Sequence, residues 1–403
     1  MNLKDTKAIV DNLISISVHI PNNKTSVRPY KMIGMGASNI SYLGENVEIF
    51  DAACQTIYQI NKEIYSTISF KKLEESLIVL IRRLKQEEKK CEEADLTELI
   101  NKILNIPVVE SEALYEIYGL TLDEPSLTLG AYTIYNYQKS RDQLVKTYPF
   151  LENGISFLQQ NPEYILGVKV SSRDNNKSVE MANKLCDKFE NIVNYMISDL
   201  THKNSIGIRN YRSDRYLSVV ICNNSTPGSN NKAYHKDLVN ISDPFFLNPS
   251  NGNEKIWNLT KAKHITKLEK RILISVEWIG RAIHDLEQDK ALVQFVFAIE
   301  AMLQFNDGSF ISPSIVSNIS ECLAFIISDK LIDRIEISNQ FKTIYQKRSA
   351  IAHGGDKSIV RDDLVTAHYL AVSMIQCLLT KPQFIAMQSN SDLNDYITNL
   401  KFS

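Results

Sequence analysis

Arg348 and His353 stand five residues apart in Tyr345-Gln-Lys-Arg-Ser-Ala-Ile-Ala-His-Gly-Gly355, at the end of a stretch with helical apolar spacing and without a metal-ligand set around them. An arginine and a histidine brought together can cleave RNA using the RNA's own 2′-hydroxyl as nucleophile. The imidazole moves protons, and the guanidinium neutralises charge on the pentacoordinate phosphorus centre. Such a site leaves a 2′,3′-cyclic phosphate and a 5′-hydroxyl, and it spares DNA, which has no 2′-OH.

The chemistry depends on where the two side chains point. Ser338 is the expected N-cap, and Phe341, Ile344, Tyr345, Ile351 and Ala352 recur at helical spacing until Gly354-Gly355 stops the helix, so the spacing predicts a helix over about 339–353. Arg348 falls in the middle of that stripe, whereas His353 lies about 140° around from it in the last turn, beside the negative end of the helix dipole. A guanidinium keeps its charge, so a place on an apolar stripe demands an acidic partner or a bound anion. Glu300, in Phe295-Val-Phe-Ala-Ile-Glu-Ala-Met-Leu303 with Val293 and Val296 on either side of it around the helix, is the expected partner. Because Arg348 and His353 diverge, one copy does not converge on one phosphate. Two copies about a two-fold axis supply a pair of each.

The surrounding sequence reads as helices at about 267–287, 290–306, 312–328, 339–353 and 359–380, with no strand among them. The order Trp278-Ile-Gly, then Ala298-Ile-Glu300-Ala-Met-Leu, then Tyr345-Gln-Lys-Arg348-Ser-Ala-Ile-Ala-His353-Gly resembles the Apea-like branch of the HEPN domains, over roughly residues 262–385. The resemblance implies an all-α helical bundle and a metal-independent endoribonuclease that works as a homodimer, in antiphage abortive infection or as a toxin. Its substrate would be RNA, with tRNA one candidate. It carries Arg348 and His353 over as catalytic residues, with Glu300, Ser349 and Tyr345 supporting them. It implies no cofactor and no metal, and it leaves room for a regulatory protein or a phage-derived trigger. A second reading stays open, because some HEPN domains are non-catalytic dimerisation or nucleotide/RNA-binding scaffolds.

The chain has 403 residues, 44% of them hydrophobic, enough for two or three domains each with its own core. Its net charge of −2 gives no global basic field, which argues against a high-affinity, non-specific RNA binder and fits an enzyme that meets RNA in a local cleft. The six cysteines include no CxxC pair, and the seven histidines are dispersed, so no metal site is expected and the thiols fit a reduced, cytoplasmic setting. The N-terminus lacks an apolar signal core and no 18-residue apolar run is expected anywhere, so no membrane association is expected.

The first 225 residues read as an α+β sensing or regulatory region, divisible into a helical part at 1–110 and an α+β part at 111–225. Residues 226–261 read as a linker, and 262–403 as the helical domain. Leu73, Leu77, Leu80, Ile81 and Leu84 mark an amphipathic helix running into the charged run Lys85–Lys90, read as a solvated helix end. Strands are expected at Ala113–Tyr118 and Leu127–Asn136 around Asp123-Glu-Pro125, at 165–172, and at Ser205–Arg209 and Tyr216–Cys222, with a helix at about 176–200. Gly34-Met-Gly36-Ala-Ser38 lacks the remainder of a dinucleotide or P-loop fingerprint and reads as a plain turn, and Asp51 lacks the second carboxylate of a nucleotidyltransferase.

Overall fold

A computed structural model describes residues 3–19, 30–33, 40–149, 151, 163–201, 203–208, 215–220, 228–233, 237–304, 314–354 and 358–402. The Gly34–Ser38 turn and Gly355 lie outside the described residues. The described residues are mostly helical, with strands confined to positions before 241, an α+β region followed by a helical one. The chain divides into two compact units, Met1–Ala113 with Lys169–Lys184, and Leu114–Val168 with Leu185–Ser403.

In the first unit, α1 (Leu3–Ile16), α2 (Asn46–Ile60), α3 (Lys62–Thr67), α4 (Phe70–Gln86) and α5 (Glu93–Leu104) accompany a small antiparallel sheet of β1 (Val18–His19), β3 (Ile40–Leu43) and β2 (Tyr30–Ile33), in that order. Asp51 lies within α2. The buried residues of α4 are Leu73, Leu77, Leu80, Ile81 and Leu84, the stripe read from the sequence, and the Ser69 hydroxyl caps its start by accepting the Lys72 N–H at 3.2 Å. Lys85 departs from expectation. Its ammonium reaches back to α1 and donates to the carbonyls of Ile14 (3.2 Å) and Ser17, closing that helix's C-terminal end. Burial pushes its pKa down.

The second unit contains a five-stranded sheet in the order β6 (Ser126–Leu129), β7 (Tyr132–Asn136), β8 (Tyr164–Ser172), β4 (Val109–Tyr118), β9 (Gly207–Ile208), to which the ends of β4 and β8 within this unit contribute. The single strand expected over 127–136 is instead the β6–β7 hairpin, Leu129 opposite Tyr132, turning at Gly130-Ala131. Helix α6 (Tyr137–Thr147) follows β7, and α7 (Asn175–Ile197) follows β8. The pair β5 (Leu120–Thr121) and β12 (Val239–Asn240) is parallel, and β10 (Arg215–Val220) pairs antiparallel with β11 (Gly228–Ala233). Part of the stretch read as linker is folded. Two 3-10 turns at Pro244–Leu247 and Pro249–Asn251 lead into α8 (Asn253–Lys261), whose Trp257 is 1% exposed and packs on Tyr132 and Phe189. Ile256, Leu259 and Phe246 are buried with it, so the segment carries its own apolar contribution to the core. The division expected at 226–261 therefore does not coincide with a boundary between the units.

The helical part comprises α9 (Lys267–His284), α10 (Gln288–Leu303), α11 (Ser314–Ile327), α12 (Leu331–Ala352), α13 (Arg361–Thr380), α14 (Pro382–Ile385) and α15 (Asn390–Phe402). Thr266 and Glu269 form a capping box at the start of α9, and Arg271 caps α10 by donating to the carbonyls of Ala301 (3.0 Å) and Gln304 (2.9 Å). By length and composition α13 is apolar enough to cross a membrane, contrary to the expectation of no such run. Here Ala367, Leu370, Ala371, Met374, Ile375, Leu378 and Leu379 are buried in the bundle core. Gly280, the glycine of Trp278-Ile-Gly, sits where α9 meets α7. A Cβ added there would lie 1.9 Å from the Asn191 carbonyl oxygen. Gly280→Ala is therefore expected to destabilise this unit by about 1–3 kcal/mol or more, since backbone must move to make room. Chemical denaturation checks this, and an unchanged midpoint contradicts it.

Candidate active site

Helix α12 begins eight residues earlier than the spacing predicts, and Ser338 is not its N-cap. Ser338 is buried, with its hydroxyl 3.2 Å from that of Ser320. The start is fixed instead by Ser328, whose hydroxyl accepts the Lys330 N–H at 3.1 Å and donates to Asp333, while Arg334 donates to its carbonyl. Phe341 and Ile344 are buried as expected, Tyr345 and Ile351 are half-buried, and Ala352 is exposed.

Arg348 lies against α10, as its place on the stripe requires. Its Nη2 is 3.2 Å from Glu300 Oε2, with 23% and 16% of the two side chains exposed. The Tyr345 phenol pKa is raised, first by burial and then by the nearby Glu300 charge. The guanidinium sits over the Phe297 ring at 5.2 Å and the Tyr345 ring at 5.4 Å, in the range of cation–π attraction. Its Nε–H has no acceptor among the described residues. Glu300 thus takes part of a fork of five donors and orients the remainder.

His353 is the C-cap of α12, exposed, with its backbone N–H bonded to the Ser349 carbonyl at 3.1 Å. Gly354 follows with φ +70°, the left-handed turn that ends a helix and suits glycine. The structure brings Arg348, Glu300 and Tyr345 together. Ser349 joins His353 only through the backbone, and no hydrogen bond links the Arg348 and His353 side chains among the described residues. Beside them Lys347 pairs with Asp363, which also caps α13 by accepting the Val360 N–H at 2.9 Å.

Sequence reading missed Phe297, although it precedes Glu300 by three residues and so shares its face of α10. It also missed His368, whose Nε2 lies 2.8 Å from Ser198 Oγ. That is the contact of a serine nucleophile pair, yet His368 is packed edge-on against Phe295 and no carboxylate hydrogen-bonds its ring among the described residues. Burial pushes its pKa down from 6.5 to about 4. The unfolded chain therefore takes up this proton near pH 6.5 and the folded chain only near 4, so stability is full above about 6.5 and falls as pH drops through that window. His368→Gln is expected to lose less stability than the parent between pH 7 and pH 5 in urea denaturation, and equal losses contradict the assignment.

Comparison with known proteins finds no family model that matches the chain, no matching curated protein and no matching solved structure.

Proposed function

We propose that this protein is a metal-independent endoribonuclease of HEPN type, acting as a homodimer with Arg348 and His353 from both copies in one cleft. The observation that carries the reading is the contact of Arg348 with Glu300 and Tyr345, beside an exposed His353 one turn on. A guanidinium held in place with donors to spare suits a transferring phosphate. An exposed imidazole suits proton transfer from the 2′-oxygen or to the departing 5′-oxygen. As the O2′–P bond forms and the P–O5′ bond breaks, the 2′-proton passes to one imidazole and the leaving oxygen is protonated by a second. Two copies supply both groups.

A homodimer is further supported by the start of α12, where Leu331, Ile332 and Ile335 are 71%, 79% and 55% exposed, beside a groove of about 560 Å³ that Ile332 and Ile335 line with Thr343 and Asp363. In this reading the N-terminal region senses a trigger, and RNA cleavage serves antiphage abortive infection or toxicity.

Purified protein incubated with total RNA and EDTA is expected to yield fragments with 2′,3′-cyclic phosphate ends. Mixing in His353→Ala subunits should lower specific activity below simple dilution, provided subunits exchange. Intact RNA in the first experiment would favour the scaffold alternative. A monomer that remains fully active at nanomolar concentration would overturn the shared cleft.

A further inference from the structure

A line of cations and rings runs from the candidate catalytic arginine to the surface. Arg348 stands over Phe297 at 5.2 Å and Tyr345 at 5.4 Å; the Phe297 and Trp278 rings meet edge to face at 5.3 Å; and Arg281 stands over Trp278 at 5.1 Å. Trp278 with Arg281 on α9 and Tyr345 with Arg348 on α12 are each neighbours three residues apart on one helix, and Phe297 of α10 joins the two pairs across the helices. Trp278, Phe297 and Tyr345 are each half-buried, whereas the core faces of α9 and α10 are made by other residues, among them Val276, Ile279, Phe295 and Ile299, all fully buried. Arg281 is exposed, and its guanidinium has no hydrogen bond or ion pair among the described residues. Core packing alone does not call for a guanidinium at each end of a row of rings.

Aromatic rings and guanidinium planes are the groups on which unpaired nucleic-acid bases stack, and the cations also meet the phosphates between those bases. A duplex keeps its bases inside and cannot use such a row. We propose, resting on the ribonuclease reading above, that Arg281, Trp278, Phe297 and Tyr345 form a stacking platform that seats unpaired RNA bases and delivers the adjoining phosphate to Arg348. The substrate class is then single-stranded RNA: a loop, a bulge or an end. These four are positioning residues, and Arg281 is the group that an incoming base displaces or extends.

Tryptophan fluorescence reads this directly. The chain has two tryptophans; Trp257 is 1% exposed, with its indole N–H bonded to the Phe246 carbonyl, which leaves Trp278 as the one that RNA can reach. The probe is an unstructured oligoribonucleotide, alone or annealed to its complement, titrated into full-length His353→Ala protein so that it is not cut. The single strand is expected to quench the emission and to bind at least roughly ten-fold more tightly than the duplex. Arg281→Ala should weaken binding by roughly ten-fold, about the size of one lost stacking contact, with an unchanged melting temperature. Trp278→Phe keeps a ring, so it should keep binding while removing the quench. Equal binding of strand and duplex, binding without quenching, or no binding at all would each overturn the platform. If the parent chain cuts RNA while any of these is seen, the platform fails and the ribonuclease reading stands. Quenching and strand preference without any cleavage by the parent would keep the platform and overturn the ribonuclease.

Discussion

His353→Ala is expected to reduce RNA cleavage by roughly 10²–10⁴-fold, the share that general acid–base catalysis supplies, while changing stability by no more than about 0.5 kcal/mol. The imidazole is exposed and forms no hydrogen bond among the described residues. What closes the end of α12 is backbone: the His353 N–H on the Ser349 carbonyl and the Gly354 N–H on that of Ile351. Alanine keeps both bonds. Fragment yield and melting temperature, measured on the same preparation, separate chemistry from folding. Cleavage at the parent rate would make His353 a helix cap and nothing more.

Arg348→Ala is expected to lose activity as completely and, unlike His353→Ala, to lose stability as well. It removes the cation that faces Glu300, whose side chain is only 16% exposed, and leaves that carboxylate without its ion-pair partner. A fully buried pair broken in this way costs about 3–5 kcal/mol. Because Arg348 retains 23% of its exposure, we expect the lower figure of about 1–3 kcal/mol for a partly buried, hydrogen-bonded charge left unpaired. Adding Glu300→Gln should recover part of the stability and none of the activity, since a neutral amide tolerates partial burial better than an unpaired carboxylate but no guanidinium returns. An unchanged melting temperature in Arg348→Ala would mean that the ion pair contributes nothing in solution.

The Arg348–Glu300 contact was legible because both residues interrupt apolar helical faces, and a charge there must find a partner. The α4 stripe was legible for the same periodic reason. Legibility failed where period and environment part. Leu331, Ile332 and Ile335 are apolar yet exposed, so the first turns of α12 carry no buried stripe, and Ser338, polar yet buried, looks like a cap. In the 127–136 segment, continuous β propensity hid the two-residue turn at Gly130-Ala131. Trp257 anchors the segment read as a linker through contacts with Tyr132 and Phe189, and His368 meets Ser198 across 170 residues; no local pattern reports such pairings. In the row from Arg348 to Arg281 the Trp278–Arg281 pair is local, but the meetings of Phe297 with Trp278 and with Arg348 are made only by the packing of three helices.

In the proposed mechanism Arg348 and His353 cut RNA through its own 2′-hydroxyl. An oligoribonucleotide that the protein cuts at one mapped position, compared in EDTA with the same strand carrying a single 2′-deoxy sugar on the 5′ side of that phosphate, tests it most directly. The all-ribose strand is expected to be cut to a 2′,3′-cyclic phosphate and a 5′-hydroxyl, and the single 2′-deoxy change to abolish cutting at that position. Cutting of the deoxy-substituted strand at the same position, or 5′-phosphate ends, would contradict it.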